Sequence, residues 1–419
     1  MILKKKKKLN IPKFPRLIID TLKSKGFDAY IVGGCVRDQL LGLKPSDFDI
    51  TTNAKPEDIK KLFKKTIDTG IKHGTVSVLF YENNVPHVYE VTTYRVDGRY
   101  SDGRHPENVT FVDDLREDLR RRDFTVNAMA YNDDIGLVDE FDGLSDLNNK
   151  IIRAVGNPID RFQEDALRLL RAVRFAAKLG FDIEKETARA IPVLASNLRQ
   201  VSRERVQVEL TKTITSKNPD YIKLVKKYGL DRYICDGFNK IRFGKFDKEP
   251  KNHMAYASLL YNTEPDFAKN ILKELKLDNN TIAAVTSLIN AKEYYYRLVD
   301  FSKKTKRDKN FDIVVKESID YLKYDLTHDF IKLLYINEGK NKTIAEYEKK
   351  VKEFETHKIP IFIKDLNIDG SVIKDIGFTG EEIGAVLKNL QKIVYNNYRL
   401  NNRKVLKDIV EKAYNIYTK

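Results

Sequence analysis

Short runs with β character are confined to about the first 150 residues of this 419-residue chain, and from about Asp160 onward it reads as helix almost throughout. GFDAYIVGG reads as a strand ending in a Gly turn, and VRDQLLG as the helix that the turn feeds. SDFDITT, GTVSVLF and HVYEVTTYR read as further strands, rich in Val, Thr and Tyr. Pro56 sits near the first turn of a short helix. The breakers and charges of VDGRYSDGRHP, from Val96 to Pro106, predict a mobile surface loop. Downstream, RFQEDALRLLRAVRFAAKLGF predicts one strong amphipathic helix with Gly180 as its stop. Helical segments follow to the end, broken at Asn218-Pro219, Glu249-Pro250 and Lys358-Ile359-Pro360, with no repeat of fixed period. The organisation expected is a small mixed α/β head on a long helical body.

Charge narrows the partners. Lys and Arg number 76 against 61 Asp and Glu, a formal net charge of +15, and so basic a chain most often meets a polyanion, nucleic acid or an acidic membrane surface. With 42% hydrophobic and 33% charged residues, the bulk of the chain is globular rather than disordered. Two cysteines, Cys35 and Cys235, exclude a disulfide framework and a four-thiolate zinc site within one chain. No apolar run approaches the roughly 18 residues of a membrane span. The start, MILKKKKKLN, is basic like the opening of a signal peptide but lacks the apolar core that should follow. A cytoplasmic protein is expected.

Four constellations carry chemistry. Gly33-Gly34-Cys35-Val36-Arg37-Asp38 stands at a strand-to-helix junction, where glycines let backbone N–H groups approach phosphate and Arg37 could pair with a triphosphate. Alone, a Gly-Gly turn before a helix is usually only a turn, and Cys35 a small packing residue. Asp47-Phe48-Asp49 follows on the next strand, where residues i and i+2 share a face. Two Mg²⁺ ions roughly 3.5–4 Å apart, held by such carboxylates, activate a hydroxyl and stabilise leaving pyrophosphate. A lone Asp-x-Asp would read as a solvated strand face; roughly ten residues after the Gly-Gly-x-x-Arg-Asp helix it reads as a metal site. Glu90, on a later strand, is a candidate third ligand, against the plainer reading of an edge-strand glutamate.

The third constellation is Arg121-Arg122-Asp123-Phe124-Thr125-Val126-Asn127, with arginines for a triphosphate and Asp123 and Asn127 spaced for one helical face. A basic helix start is the plainer alternative. The fourth is Glu164-Asp165-Ala166-Leu167-Arg168, continuing to Arg171 and Arg174. A three-residue spacing drifts about 60° per step, so Asp165, Arg168 and Arg171 share a broad stripe while Leu167, Leu170 and Val173 drift in parallel on the buried side. A carboxylate acceptor beside a guanidinium donor can read the Watson–Crick edge of cytosine or adenine. On a solitary helix the same pair would be a surface salt bridge. His328-Asp329 hints at a phosphohydrolase, but only His253 stands upstream as a further ligand, so the pair is expected to be helix-terminal polar residues.

VGGCVRD, SDFDITT, EVTTYRVDGRYSDGRHPENVTF, EDLRRRDFTVNAMA and EDALRLLRAVRFAAKLGF, in this order, resemble the class II tRNA nucleotidyltransferases (CCA-adding enzymes) and their bacterial poly(A) polymerase relatives. IPIFIKDLNIDGSVIKDIGFTGEEIGAVLKNL is similar to the tail of the Gram-positive type, while residues 230–350 carry no motif. The resemblance implies an α+β fold: a polymerase-β-like head (1–153), then an all-helical neck with the nucleotide-templating helix (154–212), an RNA-binding body (213–355) and a tRNA-binding tail (356–419). It implies that Asp47 and Asp49 hold Mg²⁺, that Gly34, Arg37, Arg122, Arg171 and Arg174 contact the nucleotide, and that Asp165 and Arg168 template C or A. The substrates implied are tRNA, CTP and ATP, with no membrane and no protein partner. The segment Tyr94–Phe111 matches the flexible element needed for the final adenosine, and Cys35 stands where the family more often has Ala. An A-only enzyme, from a split CCA system or a poly(A) polymerase, would keep every motif; a C-only enzyme should lack a competent loop. A catalytically silent RNA-binding protein is argued against by intact Asp47 and Asp49.

Overall fold

In the computed structural model, residues 8–98, 109–303 and 309–417 are described. They form two compact units, Met1–Asn239 and Lys240–Lys419. The head of the first unit is a seven-stranded mixed sheet. Its strands are β1 (Ala29–Val32), β2 (Asp49–Thr52), β3 (Thr66–Gly70), β4 (Thr75–Glu82), β5 (Val85–Thr93), β8 (Met129–Asn132) and β9 (Gly136–Asp139), ordered β3-β4-β5-β2-β1-β8-β9. β6 (Arg95–Asp97) and β7 (Val109–Phe111) form a separate antiparallel ribbon. Val96 thus belongs to a strand rather than to a loop, and residues 99–106 of the expected mobile segment lie outside the described residues.

Register puts the first two motifs side by side. β1 runs antiparallel to β2 with Val32 opposite Asp49, so the chain leaves β1 at Gly33 next to the point where β2 begins. β5 lies parallel to β2 on its other side, with Ile50 opposite Val91, which leaves Asp49 and Glu90 one residue earlier on neighbouring strands. The sheet's helices include α1 (Lys13–Ser24), α2 (Gly34–Leu40), α3 (Pro56–Leu62) and α4 (Leu115–Arg120). Tyr30, Val32, Tyr94, Leu119, Ala128, Ala130 and Val155 form a dry cluster on the sheet.

Three local expectations change. Asp47 precedes β2, which starts at Asp49, so one carboxylate opens the strand and the other lies two residues before it instead of both sharing a strand face. The stretch from Asp123 to Asn127 is not helical: Val155 N–H donates to the Asp123 carbonyl, Thr125 N–H to that of Arg153, and one 3₁₀ turn, Thr125–Asn127, follows. Phe124 is the residue in extended pairing, bridged antiparallel to Ala154. The long amphipathic helix is two helices, α6 (Pro158–Glu164) and α7 (Leu167–Leu179), after α5 (Gly143–Asn149). Asp165 is extended between them (φ −141°, ψ 103°) and accepts the Leu167 N–H at 3.0 Å, using its side chain as a cap would. Leu167, Leu170 and Val173 are buried as expected, and Gly180 closes α7 with φ 68°. α8 (Lys185–Leu194) and α9 (Arg203–Ile214) complete this part, and β10 (Ile151–Ile152) pairs with β11 (Asp182–Ile183) beyond the end of α7.

The second unit is helical among its described residues, from Asn252–Leu259 to Arg403–Tyr417. Its longest helix, Lys309–Glu338, is interrupted at Lys323 (φ 61°). Leu366, Ile368, Val372, Ile373, Phe378, Leu390, Val394, Leu406 and Val410 make a separate apolar cluster near its C-terminal end.

Gly143 opens α5 against the 3₁₀ turn, and a Cβ there would stand 2.3 Å from the Thr125 carbonyl oxygen and 3.0 Å from Met129 Cγ. Backbone must shift to admit it, so Gly143→Ala should cost about 2 kcal/mol. A lower midpoint in urea unfolding checks this; an unchanged midpoint would show that the turn can yield.

Candidate active site

The turn after β1 needs a glycine at its first position. Gly33 has φ 78°, and a Cβ on it would meet Arg122 Nη1 at 3.0 Å. Gly34, the expected contact, begins α2 and has room for a Cβ, with only Arg37 Nη2 near at 3.6 Å. Cys35 Sγ donates to the Val32 carbonyl at 3.3 Å, and burial followed by the charge of Asp49 pushes its thiol up to about 12. It is an inert packing residue, as expected.

Asp49 keeps a solvent-facing edge, yet the protein around it removes enough water to raise its carboxyl to about 6. Asp47 adds like charge, Arg122 opposes it, and Glu90 adds to it again. Among the described residues, no three carboxylate, imidazole or thiol groups form a ready-made metal cage. Two carboxylates with room for water and phosphate oxygens are nevertheless what a hard divalent cation requires. A cation would also relieve the crowding that raises Asp49. The donor set fits.

Behind the turn lies a cluster of guanidinium groups interleaved with carboxylates. Arg37, 2% exposed, donates through Nε to Asp38 Oδ1 at 2.8 Å and through Nη1 to Asn127 Oδ1. Asn127 Nδ2 donates to Asp123 Oδ1 at 3.0 Å, so these two meet although no helix joins them. Arg171 Nε donates to Asp123 Oδ2 at 2.8 Å, and its Nη1 stands 3.9 Å from Glu209 Oε1. Arg174 Nε lies 2.6 Å from Glu209 Oε2. The ring of Phe175 is the hub, with the guanidinium carbons of Arg37, Arg171 and Arg174 at 5.3, 5.3 and 4.0 Å from its centroid. Burial alone would raise the Asp123 carboxyl, but Arg171 and the Asn127 hydrogen bond overturn this and hold it far below the usual carboxylate range.

Arg122 differs from these. Its Nη2 is 3.5 Å from Asp118 Oδ2, but Asp118 also accepts from Thr51 Oγ1 at 3.0 Å and from Arg121 Nε at 2.9 Å. Arg122 stands against the glycine turn, and its Nε, like that of Arg174, is buried without a hydrogen-bond partner. A buried donor of that kind beside a glycine turn suits an incoming anion.

Asp165 and Arg168, expected on one helical stripe, do not share it, and their side chains do not form the surface salt bridge that was the plainer alternative. Asp165 Oδ2 accepts from Arg205 Nη2 of α9 at 2.9 Å. Arg168, 8% exposed, donates to the Arg161 carbonyl at 3.0 Å, Glu164 Oε2 at 2.7 Å and the Arg121 carbonyl at 2.9 Å. The break at Asp165 is the reason, since it takes that residue off the helical stripe. Sequence reasoning missed Asp118, Phe175, Arg205 and Glu209. Arg205 and Glu209 are spaced i,i+4 with opposite charge, which reads as a pair within one helix; each instead reaches a different residue across from α9.

In the second unit, His328 Nε2 meets Glu355 Oε2 at 3.1 Å, while Asp329 Oδ2 meets His253 Nε2 at 2.7 Å. The two neighbours serve different partners inside the helix Lys309–Glu338, not at its end as expected. They form no metal site among the described residues.

Residues 29–153 match the family described as "Poly A polymerase head domain", and residues 180–241 match "Probable RNA and SrmB- binding site of polymerase A". The CCA-adding enzyme of Leuconostoc mesenteroides is 35% identical over 414 residues, 95% of this chain and 96% of that protein. The chain belongs to the CCA-adding enzyme family. A CCA-adding enzyme of Levilactobacillus brevis is 51% identical over 280 residues, 64% of this chain and 69% of its own. The crystal structure of the Bacillus stearothermophilus CCA-adding enzyme in complex with CTP superposes with a TM-score of 0.76 at 28% identity, covering 97% of this chain and 99% of that one. The Thermotoga maritima CCA-adding enzyme, solved with tRNA, shares the fold at 20% identity and a TM-score of 0.66. As a CCA-adding enzyme the protein is a metal-dependent nucleotidyltransferase, with the mixed-sheet head and helical remainder that its sequence leads one to expect.

The Asp123 ion pair gives a pH signature. Its folded carboxyl titrates below the ordinary value near 4, so its contribution is complete above about pH 4 and disappears as pH falls through the depressed folded value. Asp123→Asn should cost about 3 kcal/mol at neutral pH and flatten the acid limb of the stability curve. Urea unfolding of both proteins between about pH 3 and 7 reads the difference; parallel curves would remove Asp123 from the acid response.

Proposed function

We propose that Asp47 and Asp49 hold Mg²⁺ for nucleotidyl transfer, with Glu90 as a candidate third ligand. The protein adds and repairs the 3′-terminal CCA of tRNA from CTP and ATP without a nucleic-acid template. The tRNA 3′-hydroxyl attacks the nucleotide α-phosphate in line, and pyrophosphate leaves. Bound there, the metal supplies Lewis acidity toward phosphate oxygens and lowers the cost of deprotonating a hydroxyl. The single observation that carries the residue assignment is the Asp47/Asp49 pair beside the Gly33 turn, next to the unpartnered Nε of Arg122.

The chain's own groups position and neutralise. Backbone N–H groups at Gly34 and the Arg122 guanidinium suit the triphosphate. Arg37 is nearly buried and bound to Asp38 and Asn127, which suits it to stiffen the turn at the nucleotide's edge. Arg171 and Arg174 add positive charge behind it, and Asp165 and Arg168 read the base. Arg168 spends three of its five N–H donors on Glu164 and the Arg161 and Arg121 carbonyls, so Nε–H and one Nη2–H remain for a base edge while the other three hold the side chain. The domain roles follow the same reading: head 1–153 for transfer, neck 154–212 for base choice, body 213–355 and tail 356–419 for RNA. No helix among the described residues is long and apolar enough to cross a membrane, and we place the enzyme in the cytoplasm with its substrate.

Asp47→Ala should lower incorporation by more than about a thousandfold while tRNA binding in a filter assay survives. Turnover retained with Mg²⁺ would overturn the metal assignment. Extending separate tRNAs that end before CCA and after CC, with each nucleotide alone, should give C addition on the first and A on the second; A addition alone would mark an A-only enzyme. With phosphate contacts spread over the helical segments, tRNA affinity should fall steeply between low and high salt while the choice of C or A barely changes. Salt-independent binding would remove the electrostatic account of the +15 charge.

A further inference from the structure

We infer that Arg205 is a specificity-determining positioning residue, fixing the orientation of the Asp165 carboxylate so that the site accepts bases carrying an exocyclic amine and rejects those carrying a carbonyl there. This rests on the assignment of Asp165 to base reading made above.

Asp165 stands in extended backbone between α6 and α7; its carbonyl accepts the Arg168 N–H at 3.0 Å, but that bond does not set where its carboxylate points. Two contacts do. Oδ1 accepts the Leu167 N–H at 3.0 Å, and Oδ2 accepts from Arg205 Nη2 at 2.9 Å. The first comes from the residue's own chain and tethers one oxygen locally. The second comes from α9, forty residues later in sequence, and sets the rotation of the carboxylate plane against a rigid neighbour.

α9 is itself held in place. One turn beyond Arg205, buried Glu209 is paired with Arg174 at 2.6 Å and lies 3.9 Å from Arg171. α9 thus touches α7's side of the site at two points of opposite charge, an arginine to the base-reading carboxylate and a glutamate to the nucleotide-site arginines. The Asp165–Arg205 pair is only partly exposed, 15% and 21% by side chain, so solvent screens it incompletely.

The chemistry of selection follows. A carboxylate accepts hydrogen bonds and cannot donate them. Its remaining lone pairs match the N4 amine of cytosine and the N6 amine of adenine, and oppose the carbonyl oxygens of uracil and guanine at the corresponding position. Rejection of this kind is strong only while the carboxylate cannot swing aside, because a rotated group lets water or the wrong base re-pair. Arg205 removes that freedom.

The test uses the full-length protein and a tRNA ending before CCA, with each of the four nucleotides in turn. Arg205→Ala should lower the ratio of kcat/KM for CTP over UTP by about tenfold, and the same should hold for ATP over GTP on a tRNA ending in CC. The KM for tRNA should stay within about twofold. Arg205→Lys, which keeps a cation able to reach one oxygen, should restore most of the discrimination. Arg205→Gln is the second variant should the alanine protein not fold. Asp165→Ala runs alongside: if its selectivity is unchanged, base reading by Asp165 is itself wrong. If Asp165→Ala loses selectivity while Arg205→Ala and Arg205→Gln, folded and with unaltered unfolding midpoints, keep it, Arg205 has no positioning role. An equal loss of all four rates with their ratios preserved also overturns the inference, since a merely structural contact behaves that way.

Discussion

Arginines gathered around one aromatic ring repel one another, and the site can exist only because carboxylates stand between them. Asp123 against Arg171 is the central pair, its carboxylate buried and its guanidinium about a third exposed. It joins the head, which supplies Asp123 just before the 3₁₀ turn, to α7, which supplies Arg171. Asn127 relays the connection to Arg37, and Arg37 stiffens the glycine turn over which a triphosphate would lie. Glu209 closes the other flank by holding Arg174 and approaching Arg171. Removal of one carboxylate would leave a partly buried guanidinium uncompensated, a larger cost than loss of a surface ion pair. The guanidinium groups and the carboxylates that hold them form one network.

The strands carrying the first two motifs were legible because their signals are local. A Gly-Gly turn after a short apolar strand, a Val- and Thr-rich run, and an i,i+2 carboxylate pair each depend on a few neighbouring residues. The register that sets Val32 opposite Asp49, and Glu90 beside it, is a long-range property that the sequence only hints at. Helix periodicity was right about which residues of α7 are buried and wrong about where α7 begins. Asp165 interrupts the pattern through a side-chain hydrogen bond to the backbone, a competition that hydrophobic spacing does not record. Asp123 and Asn127 meet as expected but by a different route, through a turn instead of a helical face.

Partners across elements were the least legible. Nothing near Asp165 in sequence announces Arg205, and the Arg205/Glu209 spacing points toward the wrong pairing. Phe175 reads as one more apolar residue of an amphipathic helix; its role as a platform appears only once three guanidinium groups are seen around it. The same holds for His328 and Asp329, whose adjacency suggested a shared ligand and whose helical geometry sends them to separate partners.

The gap between α6 and α7 has a mechanical consequence. A carboxylate on a helix interior could change its aim only through its own rotamers or by bending the helix. Asp165 belongs to neither helix: its carbonyl accepts the Arg168 N–H at 3.0 Å, and its carboxylate is held by the Leu167 N–H on one side and Arg205 on the other. The direction of this carboxylate therefore answers to the spacing of α7 and α9 as much as to its own φ and ψ.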